Sequence, residues 1–198
     1  VLKRVPLGEF RPDLPPSDQL IVATNVRPSP TGYLPVASFA AITPALSGIS
    51  GGAAFRSSTG ETSFLGGDHN SLNRYSGVTW SSLIVALSAD RWRFAQFGDN
   101  VIGVYGGQPV SYNLLTGTAA LLTGDPPDAD MVAVVRDFVV VAGDPASTLT
   151  VTWSGSNDST EWTPLENQSD SQPMLDGGEV MGLAGGEYGV VLQRNAIK

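Results

Sequence analysis

The stretch WRFAQFGDNVIGVYGGQPVSYNLL, residues 92–115, decides the fold class. It holds three short runs rich in β-branched and aromatic residues, WRFAQFG (92–98), VIGVYG (101–106) and PVSYNLL (109–115). Between them stand Gly98-Asp99-Asn100 and Gly106-Gly107, residue types that supply the positive φ of tight hairpin turns. Strands alternating with turns at such short range describe an antiparallel meander.

The same alternation continues in both directions. AAFRSS (53–58), TSFLGG (62–67) and SLNRYS (71–76) precede it, and MVAVVRD (131–137), FVVVAGD (138–144), LTVTWSG (149–155), VMGLAGG (180–186) and YGVVLQR (188–194) follow. No segment shows the spacing of an amphipathic helix, so the chain reads as all-β. The order of pieces also repeats. Opening strands begin near Ala53, Trp92, Val132 and Met181, each followed by a tight turn and a second strand near Phe64, Ile102, Phe138 and Val190. A period of roughly 40–50 residues is that of a four-stranded blade, so residues 51–198 are expected to form β-propeller-like antiparallel blades. The alternative is a β-sandwich, whose strands recur every 8–12 residues or so. The final piece, YGVVLQRNAIK, ends while still strand-like, and the expectation is an incomplete last blade, truncated at its C-terminal end.

Residues 1–50 differ. They contain eight of the 14 prolines, with PDLPP at 12–16 and VRPSPTGYLP at 26–35, and no sustained periodicity. Proline fixes φ and removes a donor, which excludes helices and central strands, so this segment reads as an extended arm. Its apolar residues have no partner face of their own. Phe10, Leu14, Val26, Tyr33 and Leu34 are therefore expected to pack on a neighbouring subunit.

Charge and composition narrow the function classes. The net charge of −8 divides into +1 over residues 1–50, zero over 51–123 and −9 over 124–198. Backbone binding to nucleic acid is driven by Lys and Arg, so the acidic last third argues against a DNA-gripping groove, though not against a surface past which DNA slides. With no Cys and one His, disulfides, thiolate sites and most zinc sites are excluded. Lys3 and Arg4 are followed by no apolar h-region, and no apolar run approaches membrane-spanning length; taking Val1 as close to the true start, neither a Sec signal nor a membrane association is expected.

Candidate chemistry is sparse. Ser156-Asn157-Asp158-Ser159-Thr160-Glu161-Trp162 resembles in part the Asp-box turn of sialidases, but lacks its Gly, brings the aromatic one residue early and has no second copy. Asp68-His69-Asn70 reads as a turn in which Asp and Asn bond their own backbone. Asp125, Asp128 and Asp130 offer carboxylates for Ca²⁺ without the Gly-bearing spacing of a calcium loop. Arg91 and Arg93 share one strand face and Trp92 the other, which sends Trp92 inward rather than onto a base. Trp80, Trp92, Trp153 and Trp162 are read as blade-packing residues whose indole N–H finds a carbonyl. No G-x-S-x-G, P-loop or H-E-x-x-H occurs, so no enzyme, cofactor or metal is expected.

Both ends of the chain resemble virion structural proteins of tailed phages. The stretch Val151 to Lys198 contains W-S-G, D-x-x-x-W-T-P, L-D-G-G-E-V, G-G-E-Y-G and a terminal A-I-K, and the arm contains GEFRPDLPP followed by ATNVRPSPTGYLP. The resemblance implies a β-propeller tail protein of the hub or nozzle type, in a ring of identical copies near the connector. Such a ring lines or supports the DNA channel and anchors other tail parts. The implied partners are other copies, the portal or adaptor and further tail proteins, with DNA only as passing cargo. The implied location is the virion tail, assembled in the bacterial cytoplasm. The alternative is a receptor- or glycan-binding tail module.

Overall fold

The computed structural model describes residues 24–29, 32–36, 44–85 and 87–198. The chain divides into two units, Val1–Ile42 and Thr43–Lys198. In the first, β1 (Val26–Ser29) pairs antiparallel with β2 (Gly32–Pro35), in the register Val26↔Pro35, Arg27↔Leu34, Pro28↔Tyr33 and Ser29↔Gly32. The sequence reading has no strands here. A two-stranded ribbon tolerates Pro28 and Pro35 because each strand has one side outside the ladder, where a missing N–H costs nothing.

The second unit is all-β, with no helix among the described residues. Its first sheet is β3 (Gly51–Arg56), β4 (Thr62–Gly67), β5 (Leu72–Tyr75) and β6 (Trp80–Ile84). The second is β7 (Arg93–Phe97), β8 (Asn100–Val104), β9 (Val110–Asn113) and β10 (Ala119–Leu121). The third is β11 (Met131–Val135), β12 (Phe138–Asp144), β13 (Ser147–Trp153) and β14 (Asp170–Pro173). In each of the three, every strand pairs antiparallel with its neighbour in sequence. A fourth sheet pairs β15 (Val180–Ala184) with β16 (Val190–Gln193), beyond which the chain folds back so that Val191 and Lys198 exchange backbone hydrogen bonds of 2.9 Å.

The four opening strands lie side by side in chain order: β3 beside β7, β7 beside β11, β11 beside β15. Three core layers fill the gaps between successive sheets. Leu65 and Leu72 of the first sheet meet Val101, Val110 and Tyr112 of the second, with Trp92 and Tyr105 from the ends of its strands. Ile102, Val104 and Leu122 meet Val139, Val141 and Trp162. Met131, Ala142 and Val151 meet Val180, with Leu183 and Val191 packed against them. Because a strand's side chains alternate, Val101 faces one layer while Ile102 and Val104 face the next, and Val139 and Val141 face away from Ala142. Burial on both faces is why VIGV and FVVVA are continuous apolar runs rather than alternating ones.

The outermost strands β6, β10 and β14 escaped the sequence reading. β10 and β14 are largely exposed, β6 is half-buried with Leu83 and Ile84 against the first core layer, and all three carry few β-branched residues, as in Asp170-Ser171-Gln172-Pro173. An edge strand with little of either face buried is under little pressure to show an apolar pattern, and a polar edge also discourages unwanted pairing.

Trp92, just before β7, joins the first two sheets. It is 3 % exposed, donates its indole N–H to Asp68 O at 2.8 Å, and stacks on Phe94 with ring centroids 5.6 Å apart. A Cβ on Gly67 would stand 2.1 Å from its Cδ1, and one on Gly51 would stand 2.3 Å from its carbonyl oxygen, so both positions admit only glycine. The receiving turn is held by Asp68, whose carboxylate accepts from Asn70 N (2.8 Å), Ser71 N (2.8 Å), Ser71 Oγ (2.8 Å) and Asn73 Nδ2 (3.1 Å). His69 Nδ1 lies 2.8 Å from Ala89 O, drawing the segment before Trp92 against the same turn. Gly67→Ala should therefore lower stability by about 1–3 kcal/mol or more through overpacking. Gly182→Ala is the control, since the added methyl meets Leu192 only at ordinary contact, 3.4 Å away. Urea denaturation followed by tryptophan fluorescence checks this; equal effects at the two positions would contradict the Trp92 seat.

Candidate functional site: a polar cavity between hairpin tips

Side-by-side opening strands set the tips of their hairpins next to one another. The β7–β8 turn is made by Gly98, at φ 58°, and Asp99. Asp99 reaches the β3–β4 turn, accepting from Ser58 N at 2.7 Å and Ser58 Oγ at 2.6 Å. Gln96 Nε2 adds a bond of 2.7 Å to Arg56 O. The β11–β12 turn, Arg136-Asp137, is latched to the β15–β16 turn in the same way. Gly186 N donates to Val134 O at 3.0 Å and Arg136 N to Gly186 O at 2.9 Å, while the Arg136 guanidinium pairs with the Glu187 carboxylate.

The junction between these two latched pairs is open. Among the described residues no hydrogen bond joins 96–100 to 134–137, and a cavity of about 410 Å³ lies there, lined by Gln96, Asp99, Asn100, Arg136, Asp137 and Asn157 over Phe97 and Val134. Arg136 (φ 49°) and Asn157 (φ 55°) both hold left-handed backbone, which costs a non-glycine residue about 1–2 kcal/mol and is least unfavourable for Asn. Asn157 N is fixed on Asp137 O at 2.7 Å.

The segment around Asp158 forms one wall through the loop between β13 and β14. Asp158 Oδ1 accepts from Thr160 N at 2.8 Å and Thr160 Oγ1 at 2.7 Å, and Trp162 is buried with its indole N–H on Ser159 O at 2.8 Å. The carboxylate is thus occupied in shaping its turn, and the Thr160 hydroxyl, then the Thr160 amide, hold it below the usual carboxylate range. Asp130 pairs with Arg93 at 3.4 Å. Among the described residues no cluster of three or more His, Asp or Glu could hold a metal ion.

The other residues singled out by sequence are scattered. Trp80 donates to Pro44 O at 3.0 Å and Trp153 to Gln168 O at 2.8 Å; both are half-buried, whereas Trp92 and Trp162 are buried. Trp153 also lines an apolar cavity of about 320 Å³ with Val135, Phe138, Val140, Gly189 and Val191. Val26 and Leu34 are exposed and Tyr33 is half-buried; the β1–β2 register puts Val26 and Tyr33 on one face of the ribbon and Leu34 on the other. Phe10 and Leu14 lie outside the described residues. The polar cavity itself escaped sequence reading, because Gly98-Asp99-Asn100 and Arg136-Asp137 announce turns and nothing in their spacing announces that the turns meet.

The Asp99 latch gives a pH signature. The Ser58 hydroxyl, then the Ser58 amide, hold the Asp99 carboxyl below its ordinary value of 3.8. A depressed folded-state pKa contributes stability that is present above the unfolded value and lost as pH falls through the folded one. Ser58→Ala should lower the thermal midpoint at neutral pH, and the difference from the parent should shrink once the pH drops below about 3.8, the range in which Asp99 protonates. Melting curves of both proteins across that range test it; a difference independent of pH would contradict the latch.

Compared with protein-family models and with curated proteins, the chain matches none of either.

Proposed function

We propose that the chain is a structural component of a bacteriophage tail, a propeller-like hub, nozzle or connector-proximal ring protein that lines or supports the DNA channel and anchors other tail proteins. The observation that carries the architectural part is the stacking of successive four-stranded meanders with their opening strands adjacent, which is how propeller blades are arranged. The fourth sheet is a two-stranded hairpin followed by the Leu192–Ile197 bridge.

The virion part draws on the sequence resemblance, and the resembling motifs do mechanical work in this fold. Trp162 of D-x-x-x-W-T-P fills a core layer. In L-D-G-G-E-V the turn is clamped by buried Gln193, whose Nε2 donates to Met174 O at 2.6 Å and Gly178 O at 2.7 Å. G-G-E-Y-G supplies the tip latched to Arg136. Motifs of turns and packing favour a scaffold over a catalyst, as do the carboxylates of Asp68, Asp99 and Asp158, which are spent on turn hydrogen bonds. The −9 charge of residues 124–198 suits a surface that lets DNA pass. A second reading, a receptor- or glycan-binding tail module, draws on the polar cavity.

Assembly is the property to test. Each large apolar side chain buried at an interface contributes about 1.5–3 kcal/mol, so losing several should abolish a multi-copy contact. Deleting residues 1–35, or combining Val26→Asp with Leu34→Asp, should convert a ring to monomers by light scattering while circular dichroism keeps its β signature. A chain that is monomeric with its partners present, or a ring untouched by either change, would count against the proposal.

A further inference from the structure

We infer that residues Leu175–Lys198 form a hinged lid on the third sheet, swinging as one body about Met174 and caught at its tip by Arg136. The lid is a property of the fold alone and stands whether or not the chain belongs to a tail. The segment is tied firmly to itself. Lys198 Nζ pairs with Asp176 Oδ2 at 2.8 Å, and the Arg194 guanidinium pairs with the Glu179 carboxylate. Backbone bonds run from Asn195 N to Gly177 O at 2.9 Å, from Arg194 N to Glu179 O at 3.0 Å and from Val191 N to Lys198 O at 2.9 Å. Gln193 Nε2 adds a bond of 2.7 Å to Gly178 O, so the linker and both strands hold together as one piece.

Among the described residues, hydrogen bonds and ion pairs join this piece to the rest of the second unit at two places only. One is Met174, whose N–H extends the β13–β14 ladder to Leu149 O at 2.8 Å and whose carbonyl accepts from Gln193 Nε2 at 2.6 Å. The other is the β15–β16 tip. There Gly186 N donates to Val134 O at 3.0 Å, Gly186 O accepts from Arg136 N at 2.9 Å, and the Arg136 guanidinium reaches both the carbonyl and the carboxylate of Glu187. Hinge and catch thus stand at opposite ends of the hairpin.

Between those ends the seat is thin. Val180 is the buried apolar residue that the fourth sheet contributes to the third core layer, while Leu183 and Val191 are only half-buried. Beneath the hairpin lies the apolar cavity of about 320 Å³, bounded by Val135, Phe138, Val140 and Trp153 of the third sheet and by Gly189 and Val191 of the lid. A void on that scale forfeits the contacts its lining would otherwise make. Segments with few buried contacts open at lower free energy than the core, and the ion pair at the catch is exposed, hence weak on its own. Opening bares the third-layer side chains Met131, Ala142 and Val151 and leaves the internal bonds of the lid intact.

The chain has no Cys, so a single introduced thiol reports its own position without ambiguity. Ala142→Cys and, as a second choice of site, Met131→Cys stand under the lid; Ala129→Cys stands in the layer between the second and third sheets. In the full chain, labelling by a water-soluble aryl disulfide at neutral pH should be at least about tenfold faster in the first two variants than in the third. Adding Glu187→Gln, which weakens the catch, should raise the two under-lid rates about two- to fivefold and leave the third unchanged. Hydrogen exchange at the Val191 and Arg194 amides, whose acceptors lie within the lid, should be the same with and without Glu187→Gln. Equal labelling in all three variants, under-lid rates indifferent to Glu187→Gln, or exchange at Val191 and Arg194 that quickens in step with labelling would overturn the lid.

Discussion

The seating of Trp92 on Gly67 and Gly51 is the contact on which the rest of the second unit depends. The indole occupies the space a side chain at Gly67 would fill, the Trp92 carbonyl and Cβ occupy that at Gly51, and the indole N–H takes the carbonyl of Asp68. That fixes where β7 begins relative to β3, and hence how the second meander lies on the first. Phe94 stacks on the same ring and Tyr105 meets it tilted, at 5.6 Å and 4.9 Å between centroids, carrying the constraint into the second sheet. The price of such close approach is that glycine is required where the ring rests, and a strand interior gains little from glycine otherwise.

From that junction the architecture propagates by repetition. Each sheet offers one face to its predecessor and one to its successor, so the inner sheets are buried on both sides and the three core layers are shared. Ile102 and Val139, both 0 % exposed, sit in the layer between the second and third sheets. Stability in such a chain is mostly a sum of neighbour terms, with outer strands contributing least. Aligning the opening strands has a second result: the hairpin tips become a row, and polar turn residues that would have faced only solvent become latches or, at one junction, the walls of a cavity.

How much of this is legible in the sequence follows from what each residue must do. The opening and second strands are legible because burial on two faces demands runs such as VIGV and FVVVA. The recurrence of Ala53, Trp92, Val132 and Met181 marks strand beginnings that fall at or next to β3, β7, β11 and β15. The outer strands are not legible, since Asp170-Ser171-Gln172-Pro173 answers only to hydrogen bonding. Nor is the β1–β2 ribbon, whose prolines argue against any ladder until it is seen to be two strands wide. The cavity is the least legible feature. Asp99 and Asp137 stand far apart in the chain, and only the stacking order brings their turns together.

The architecture therefore rests on the order of the sheets: opening strands adjacent in chain sequence, with sheets neither interleaved nor paired face to face as two layers. Long-range nuclear Overhauser contacts in the full chain test it most directly. Expected are contacts from the Trp92 ring to Gly67 and from the Trp92 Cβ protons to Gly51, from Val104 or Ile102 to Val139 and Val141, and from Ala142 or Val151 to Val180. Contacts that instead packed the first sheet against the third, with Trp92 remote from Gly67, would contradict it.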